Sequence, residues 1–67
     1  MNIQEALKYG FEQLKQFHSY KIDASLLLRK STNFSDLDII MKSDYNLSKE
    51  QEESYKRDIK TRLSNTP

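Results

Sequence analysis

Apolar residues in the first quarter of the chain recur at three- and four-residue steps, the spacing of one side of an α-helix. This stripe predicts a first helix from about Ile3 to Phe17. Asn2 and Glu5 have the spacing of a capping box, so the helix is expected to begin directly after Asn2. Gly10 lies within the stripe, where glycine costs about 1 kcal/mol relative to alanine. We interpret Gly10 as a position where a neighbouring helix packs closely.

A second helix is predicted to begin after Ser19 and to end near Thr32 and Asn33. Its apolar residues are adjacent rather than periodic and include the consecutive leucines Leu26–Leu28. A helix that is apolar on more than one side is normally surrounded by other elements. This helix is therefore expected to be the central element of the fold. Asn33 is expected to end it in the left-handed conformation, a position otherwise favourable to glycine.

Ser35 and Asp38 form the next capping-box pattern and predict a short third helix. Its apolar positions Leu37, Ile40 and Met41 are expected to face the core. A connecting turn is expected to follow at residues 44–46, where aspartate, tyrosine and asparagine are adjacent.

The last helix is predicted from about Lys49 to Ser64, after a third capping box formed by Ser48 and Gln51. One side of it carries the apolar residues Tyr55, Ile59 and Leu63. The outer side is expected to form acid–base pairs at four-residue spacing, Glu52 with Lys56, Glu53 with Arg57 and Asp58 with Arg62. Asn65 and Pro67 are expected to end the helix.

Composition agrees with a helical fold. The 67 residues include one glycine and one proline, which leaves little room for hairpin turns, and alternating β-branched stretches are missing. A chain of this length makes at most one domain. The sequence therefore predicts an all-α domain, a small helical bundle of four to five helices.

Charge and cysteine usage exclude several classes of function. Eleven basic residues balance ten acidic ones, so we expect no nucleic acid partner. The longest apolar run is far shorter than the roughly 20 residues of a membrane span, and no signal peptide pattern is present, so no membrane partner is expected either. The absence of cysteine excludes disulfides and thiolate zinc sites and fits a cytoplasmic location.

The residue types of an active site are also sparse. One glycine within a helix cannot form the glycine-rich turn that brings backbone amides to a nucleotide-like cofactor. The single histidine, His18, is expected in an exposed loop. No catalytic, cofactor-binding or metal-binding residue is therefore assigned. Four tyrosines are expected at the edge of the core with their hydroxyls in water, namely Tyr9, Tyr20, Tyr45 and Tyr55.

Basic side chains on the last helix are the best candidates for binding a partner. These are Lys56, Arg57, Lys60 and Arg62. A solvated face with internal salt bridges is the simpler interpretation of the same residues.

Three segments resemble the helical domain that precedes the catalytic domain in the HemK-type (PrmC) release factor glutamine methyltransferases. Ile22–Leu28 is similar to that family's Asp-Ala-Glu followed by an aliphatic pair, and Leu47–Gln51 is similar to its Leu-Ser/Thr-x-Glu-Gln. Arg62–Pro67 resembles its basic run ending in Gly-x-Pro. The chain departs from the pattern at Ser25 for glutamate, Asn33 and Asn65 for glycine, and Asp36 for arginine.

The resemblance implies a domain that is not itself catalytic. In the full enzyme a following domain, expected to begin just after Pro67, would transfer a methyl group from S-adenosylmethionine to the glutamine of a release factor's Gly-Gly-Gln loop. The Asn-Pro-Pro-Tyr motif of that domain is absent from this chain. The implied partners of residues 1–67 are the peptide-chain release factor and the protein's own catalytic domain. The implied role is to position the factor.

Two alternatives come from other classes of function. A helix-turn-helix DNA-binding domain would present Asp36 and Asp38 to the phosphates, whereas base recognition needs Arg, Lys, Asn or Gln at that position. A stand-alone adaptor that binds another helix through an exposed apolar stripe remains compatible with the sequence.

Overall fold

Four helices make up most of the computed structural model, which describes residues 1–64. They are α1 (Ile3–Leu14), α2 (Tyr20–Thr32), α3 (Asp36–Met41) and α4 (Lys49–Ser64). Helices include 73% of these residues and no strand occurs among them, so the predicted all-α class is confirmed. The bounds of α4 are those that the sequence predicts. Asn65 and Pro67, which were expected to end α4, lie outside the described residues.

The helices α1 and α4 lie side by side and run in the same direction. Near their starts the Met1 ammonium group is 3.2 Å from Glu52 Oε1. At their far ends the Arg62 guanidinium lies 4.4 Å from the centre of the Phe17 ring. Helix α2 packs against each of the other three helices, which confirms the prediction that it is the central element.

The three predicted capping boxes form. At α1, Asn2 Oδ1 accepts a hydrogen bond from the Glu5 amide at 2.8 Å, and Glu5 Oε1 accepts one from the Asn2 amide at 2.9 Å. The same reciprocal bonds occur between Ser35 and Asp38 and between Ser48 and Gln51. Ser19 is the N-cap of α2, but its hydroxyl donates to the Asp23 carboxylate at 3.1 Å instead of capping a backbone amide.

Helices α1 and α2 end differently, α1 in a tightened last turn and α2 at a left-handed residue. Helix α1 ends at Leu14, not at the predicted Phe17, because the Phe17 amide donates to the Leu14 carbonyl at 2.9 Å and tightens the last turn. Helix α2 ends as predicted at Asn33, which has φ 61° and ψ 28° in the left-handed region. The Asn33 amide donates to the Arg29 carbonyl at 2.7 Å.

The core lies between α1, α2 and α4. Its buried apolar residues are Ile3, Ala6, Leu14, Ala24, Leu28, Ile39, Leu47, Tyr55 and Ile59. A Cβ atom added to Gly10 would lie 2.8 Å from Ala24 Cβ and would overlap the Tyr55 hydroxyl, which confirms Gly10 as a close-packing position. Tyr55 was expected at the core edge, and that prediction is wrong. It is completely buried and its hydroxyl donates to the Ala6 carbonyl at 2.6 Å.

The predicted orientation of α3 is wrong. Leu37, Ile40 and Met41 are 65%, 72% and 72% exposed, and Ile39 is the residue that faces the core. The spacing of the three exposed residues indicates one side of a helix but not which way that side points. The orientation is set by the segment after α3, where the Ser43 carbonyl accepts a hydrogen bond from the start of α1 at 3.0 Å.

Helix α2 is also less enclosed than its composition predicts. Ile22 and Leu26 are 63% and 51% exposed, whereas Ala24 and Leu28 are completely buried. Two residues correspond to about 200° around a helix, so these two pairs lie on opposite sides of α2. Helix α2 packs against the core through one side, and its opposite side is exposed to solvent.

Candidate interaction surface

Three of the four predicted partner-binding residues lie together on one side of α4. Lys56, Arg57 and Lys60 border a depression of about 560 Å³ between α4 and α1, and Tyr9 and Gln13 supply its α1 wall. These five residues are called the basic surface below. Its cations lie together because Lys60 is four residues after Lys56 and three after Arg57, spacings that share a side of a helix.

Lys56 is held by neighbouring groups of the same domain. Its ammonium nitrogen is 3.5 Å from Glu52 Oε2 and 5.5 Å from the centre of the Tyr9 ring. The predicted Glu52–Lys56 pair is therefore confirmed. Arg57 and Lys60 are exposed and form no ion pair within residues 1–64, so the predicted Glu53–Arg57 pair is wrong. These two cations are therefore the part of the basic surface that no ion pair within residues 1–64 neutralises.

Glu52 marks one end of the basic surface and remains ionised at neutral pH. Its pKa is lowered from the ordinary value of 4.5, first by the hydrogen bond from the Met1 ammonium group and then by the charge of Lys56. The carboxylate therefore neutralises part of the charge at the start of α4. The net positive charge of the surface lies further along the helix, around Arg57 and Lys60.

Tyr55 lies beneath this surface and has a structural role. Burial raises the pKa of its hydroxyl far above the ordinary value of 10.0, and the neighbouring Tyr9 raises it further. Its ring also packs against Tyr9 at 6.3 Å between ring centres. A hydroxyl that stays protonated and bonded to a backbone carbonyl holds α1 and α4 together and is not suited to acid–base chemistry.

Arg62 does not join the basic surface. It lies two residues after Lys60, about 200° around the helix, and points toward α2. Its Nη2 and Nε atoms donate to Asp23 Oδ2 at 3.2 and 3.3 Å, and the guanidinium stacks on Phe17. The predicted Asp58–Arg62 pair is wrong because Asp23 takes that position. A role of the four basic residues in binding a partner stays a prediction, and the structure places only three of them on a common surface.

Sequence reasoning missed the exposed apolar residues of α2 and α3. Ile22, Leu26 and Ile40 border two further depressions on another part of the domain. For Ile22 and Leu26 the signal in the sequence is the apolar character of α2 on more than one side, which predicts burial. His18 is exposed in the turn between α1 and α2, as expected.

Within residues 1–64 no group of three or more His, Cys, Asp and Glu side chains is placed to hold a metal ion. None of the described helices is long and apolar enough to cross a lipid bilayer. The basic surface has cations beside aromatic and apolar side chains; arginine and tyrosine are enriched at protein interfaces, whereas lysine is depleted there.

Comparison with known proteins gives one match. The family model described as the PrmC N-terminal domain matches residues 5–67. No curated protein and no solved structure matches the chain significantly. The family match covers all four helices except the first two residues of α1.

Proposed function

Because the chain belongs to the family of PrmC N-terminal domains, we propose that it is the docking domain of a glutamine methyltransferase that modifies peptide-chain release factors. In this role it binds the release factor and holds it so that the Gly-Gly-Gln loop reaches a separate catalytic domain. That domain would begin just after Pro67. The proposal places the protein in the cytoplasm, where release factors act on ribosomes.

The observation that carries the proposal is the family match over residues 5–67. The geometry of the described domain is compatible with it in two respects. Arg57 and Lys60 lie exposed on the basic surface, available to a partner. The aromatic and apolar side chains around them would lose water on binding, as at the centre of a protein interface.

The residues of this chain do not fit S-adenosylmethionine. Cofactors of this kind are bound where a glycine-rich turn follows a strand, because backbone amides must approach the ligand closely. Gly10 is the one glycine of the chain, and it is enclosed by Ala24 and Tyr55 within the helical core. We therefore assign the methyl donor to the catalytic domain, where it would supply the methyl group for the glutamine side chain.

The contribution of the docking domain to the reaction is geometric. Holding two reactants in the right orientation converts a bimolecular encounter into an effectively unimolecular one. A contact remote from the reacting atoms also raises the effective concentration of the loop at the catalytic domain. Such a domain speeds the reaction of an intact, folded substrate without contributing a reactive group.

Deletion of residues 1–67 from the full-length enzyme tests this role. Two substrates are compared, the intact release factor and a short peptide that contains the Gly-Gly-Gln sequence. We expect kcat/KM for the intact factor to fall by about a hundredfold, the effect of losing a linked second contact. The value for the peptide is expected to remain unchanged because the peptide is too short to reach the docking domain.

The peptide substrate is the control for damage to the catalytic domain. If the deletion lowered methylation of both substrates equally, the residues would be needed for folding of the enzyme and not for docking. Unchanged methylation of the intact factor would show that the docking role is wrong.

A further inference from the structure

Large apolar side chains remain exposed on α2 and α3. Ile22 and Leu26 of α2 are 63% and 51% exposed, and Ile40 of α3 is 72% exposed. Burial of apolar area stabilises a fold, so leaving such side chains in water forgoes that stabilisation. Exposed apolar residues that cluster typically mark an interaction site.

These residues belong to two depressions that meet at α3. One, of about 360 Å³, is bordered by Ile22, Leu26 and Asp36. The other, of about 380 Å³, is bordered by Ile40 together with Leu7 and Phe11 of α1. Asp36 and Ile40 are four residues apart and therefore share one side of α3.

A contact between α1 and α2 lies near both depressions. The Phe11 ring packs edge-on against Tyr20 with 5.8 Å between ring centres, and Tyr20 directly precedes the residues that border the α2 depression. The apolar residues that border these two depressions are Leu7 and Phe11 of α1, Ile22 and Leu26 of α2, and Ile40 of α3. We refer to these five residues as the apolar surface.

The α2 part of the apolar surface, Ile22 and Leu26, lies on the side of α2 opposite the core. Ala24 and Leu28 are buried in the core that α2 shares with α4, and Ile22 and Leu26 lie about 200° around the helix from them. Under the proposed function the catalytic domain follows α4. Ile22 and Leu26 therefore point away from the core that α2 shares with that helix, and they remain open to a separate molecule.

The charges around the apolar surface favour an acidic partner. Lys21 borders the α2 depression and Lys8 borders the α1 depression, and neither forms an ion pair within residues 1–64. Arg29 is neutralised by Asp36, with 3.4 Å between Nη1 and Oδ1. Each depression therefore has one cation at its border that forms no ion pair in the described part of the chain.

We infer that the apolar surface binds an amphipathic helix of the release factor, with an apolar stripe flanked by acidic side chains. This rests on the proposed function, which supplies the partner. An elongated apolar surface across three helices suits the apolar side of a helix, whose anchors recur at three- and four-residue steps. Lys8 and Lys21 would pair with acidic residues at the two borders of that stripe and fix its orientation.

Titration of the chain with the purified release factor tests the inference by nuclear magnetic resonance. We expect the amide and methyl signals of the apolar surface to shift first. The double variant Ile22→Ser/Leu26→Ser is expected to weaken the Kd at least about tenfold, the effect of losing central interface residues. The charge reversal Lys8→Glu/Lys21→Glu is expected to weaken it by a similar factor, and more at low salt than at high salt.

Leu37→Ser/Met41→Ser is the matched control. These two residues are as exposed as Ile40 but lie outside both depressions, so the Kd is expected to change less than about twofold. Each variant is first shown to have the circular dichroism spectrum and thermal stability of the parent chain. Because all substituted side chains are exposed, the core is unchanged in each of them.

Other outcomes separate this inference from the proposed function. If the release factor binds but the apolar-surface variants keep the parent Kd, the inference is wrong and the docking role stands. If the factor binds neither this chain nor the full-length enzyme, both are wrong. Shifts of the same signals on adding the catalytic domain alone, or on raising the concentration of the chain alone, would assign the surface to that domain or to a second copy and overturn the inference.

Discussion

At the scale of single residues, the contact between Gly10 and Tyr55 holds the two parallel helices together. The Tyr55 hydroxyl reaches the Ala6 carbonyl across the point where Gly10 leaves space for it. A buried hydroxyl needs a hydrogen-bond partner, and an α-helix carbonyl has a second lone pair available for one. Glycine is therefore needed at position 10 because the Tyr55 side chain packs there, and not because of its backbone conformation.

Substitution Gly10→Ala is expected to destabilise the domain by about 1–2 kcal/mol. Alanine favours a helix by up to about 1 kcal/mol over glycine, but overpacking a core costs about 1–3 kcal/mol. The added Cβ would lie 2.8 Å from Ala24 Cβ, which is attached directly to the α2 backbone and cannot move without it. Thermal unfolding measures the change, and the Tm is expected to fall by about 4–8 °C per kcal/mol.

The Tyr55→Phe substitution serves as the partner in a double-mutant cycle. Removing the hydroxyl relieves the closest overlap with the new Cβ atom, so Tyr55→Phe should destabilise Gly10→Ala less than it destabilises the parent chain. Additive effects of the two changes would mean that they do not share this contact. A Gly10→Ala variant more stable than the parent would contradict the close packing altogether.

At the scale of elements, the sequence predicts the helix starts well because capping is local. Each confirmed capping box joins residues three positions apart, so the bonds depend on no other part of the chain. The orientation of α3 is decided by contacts distant in sequence. The backbone at Ser43 and Tyr45 bonds to the first turn of α1, and this rotates Ile39 into the core.

The same distinction applies to the candidate surfaces. Lys56 and Lys60 share a side of α4 by helical spacing alone, and the sequence places them correctly. Arg62 pairs with Asp23, which lies 39 residues away, in preference to the nearby Asp58. That choice, like the exposure of Ile22, depends on how α2 packs against its neighbours, and periodicity within one helix carries no information about it.

Asn33 provides a test of how α2 ends. The substitution Asn33→Ala is expected to cost about 1 kcal/mol, because φ 61° brings a Cβ atom close to the following carbonyl and asparagine tolerates this better than alanine does. The substitution Asn33→Gly should leave the free energy of unfolding equal to or above that of the parent chain. Urea denaturation of the three proteins measures the order. Equal stability of the Asn33→Ala and Asn33→Gly variants would indicate that the left-handed turn is not retained in solution.

At the scale of the whole molecule, the start of α1 is bound to the segment that leads into α4 and to the first turns of α4. The Met1 ammonium group and Glu52 are 51 residues apart in sequence and 3.2 Å apart in space. The Leu47 amide donates to the Met1 carbonyl at 2.9 Å beside them, and Asn46 forms an isolated bridge with Asn2. The first residues of the chain are thus bound to the segment that leads into α4.

The ion pair between Met1 and Glu52 makes the free energy of unfolding fall as the pH is lowered. The folded-state pKa of Glu52 is lowered from 4.5, so its contribution to stability is present above that pH and is lost as the pH falls through the folded-state value.

Glu52→Gln is expected to unfold more easily than the parent at about pH 6, and the difference should vanish in strong acid. Glu53→Gln, which removes an exposed carboxylate that forms no ion pair within residues 1–64, is the matched control and should track the parent throughout. Urea unfolding at each pH measures both differences. A Glu52→Gln deficit that persisted in strong acid would mean that packing, and not charge, holds the start of α4 against Met1.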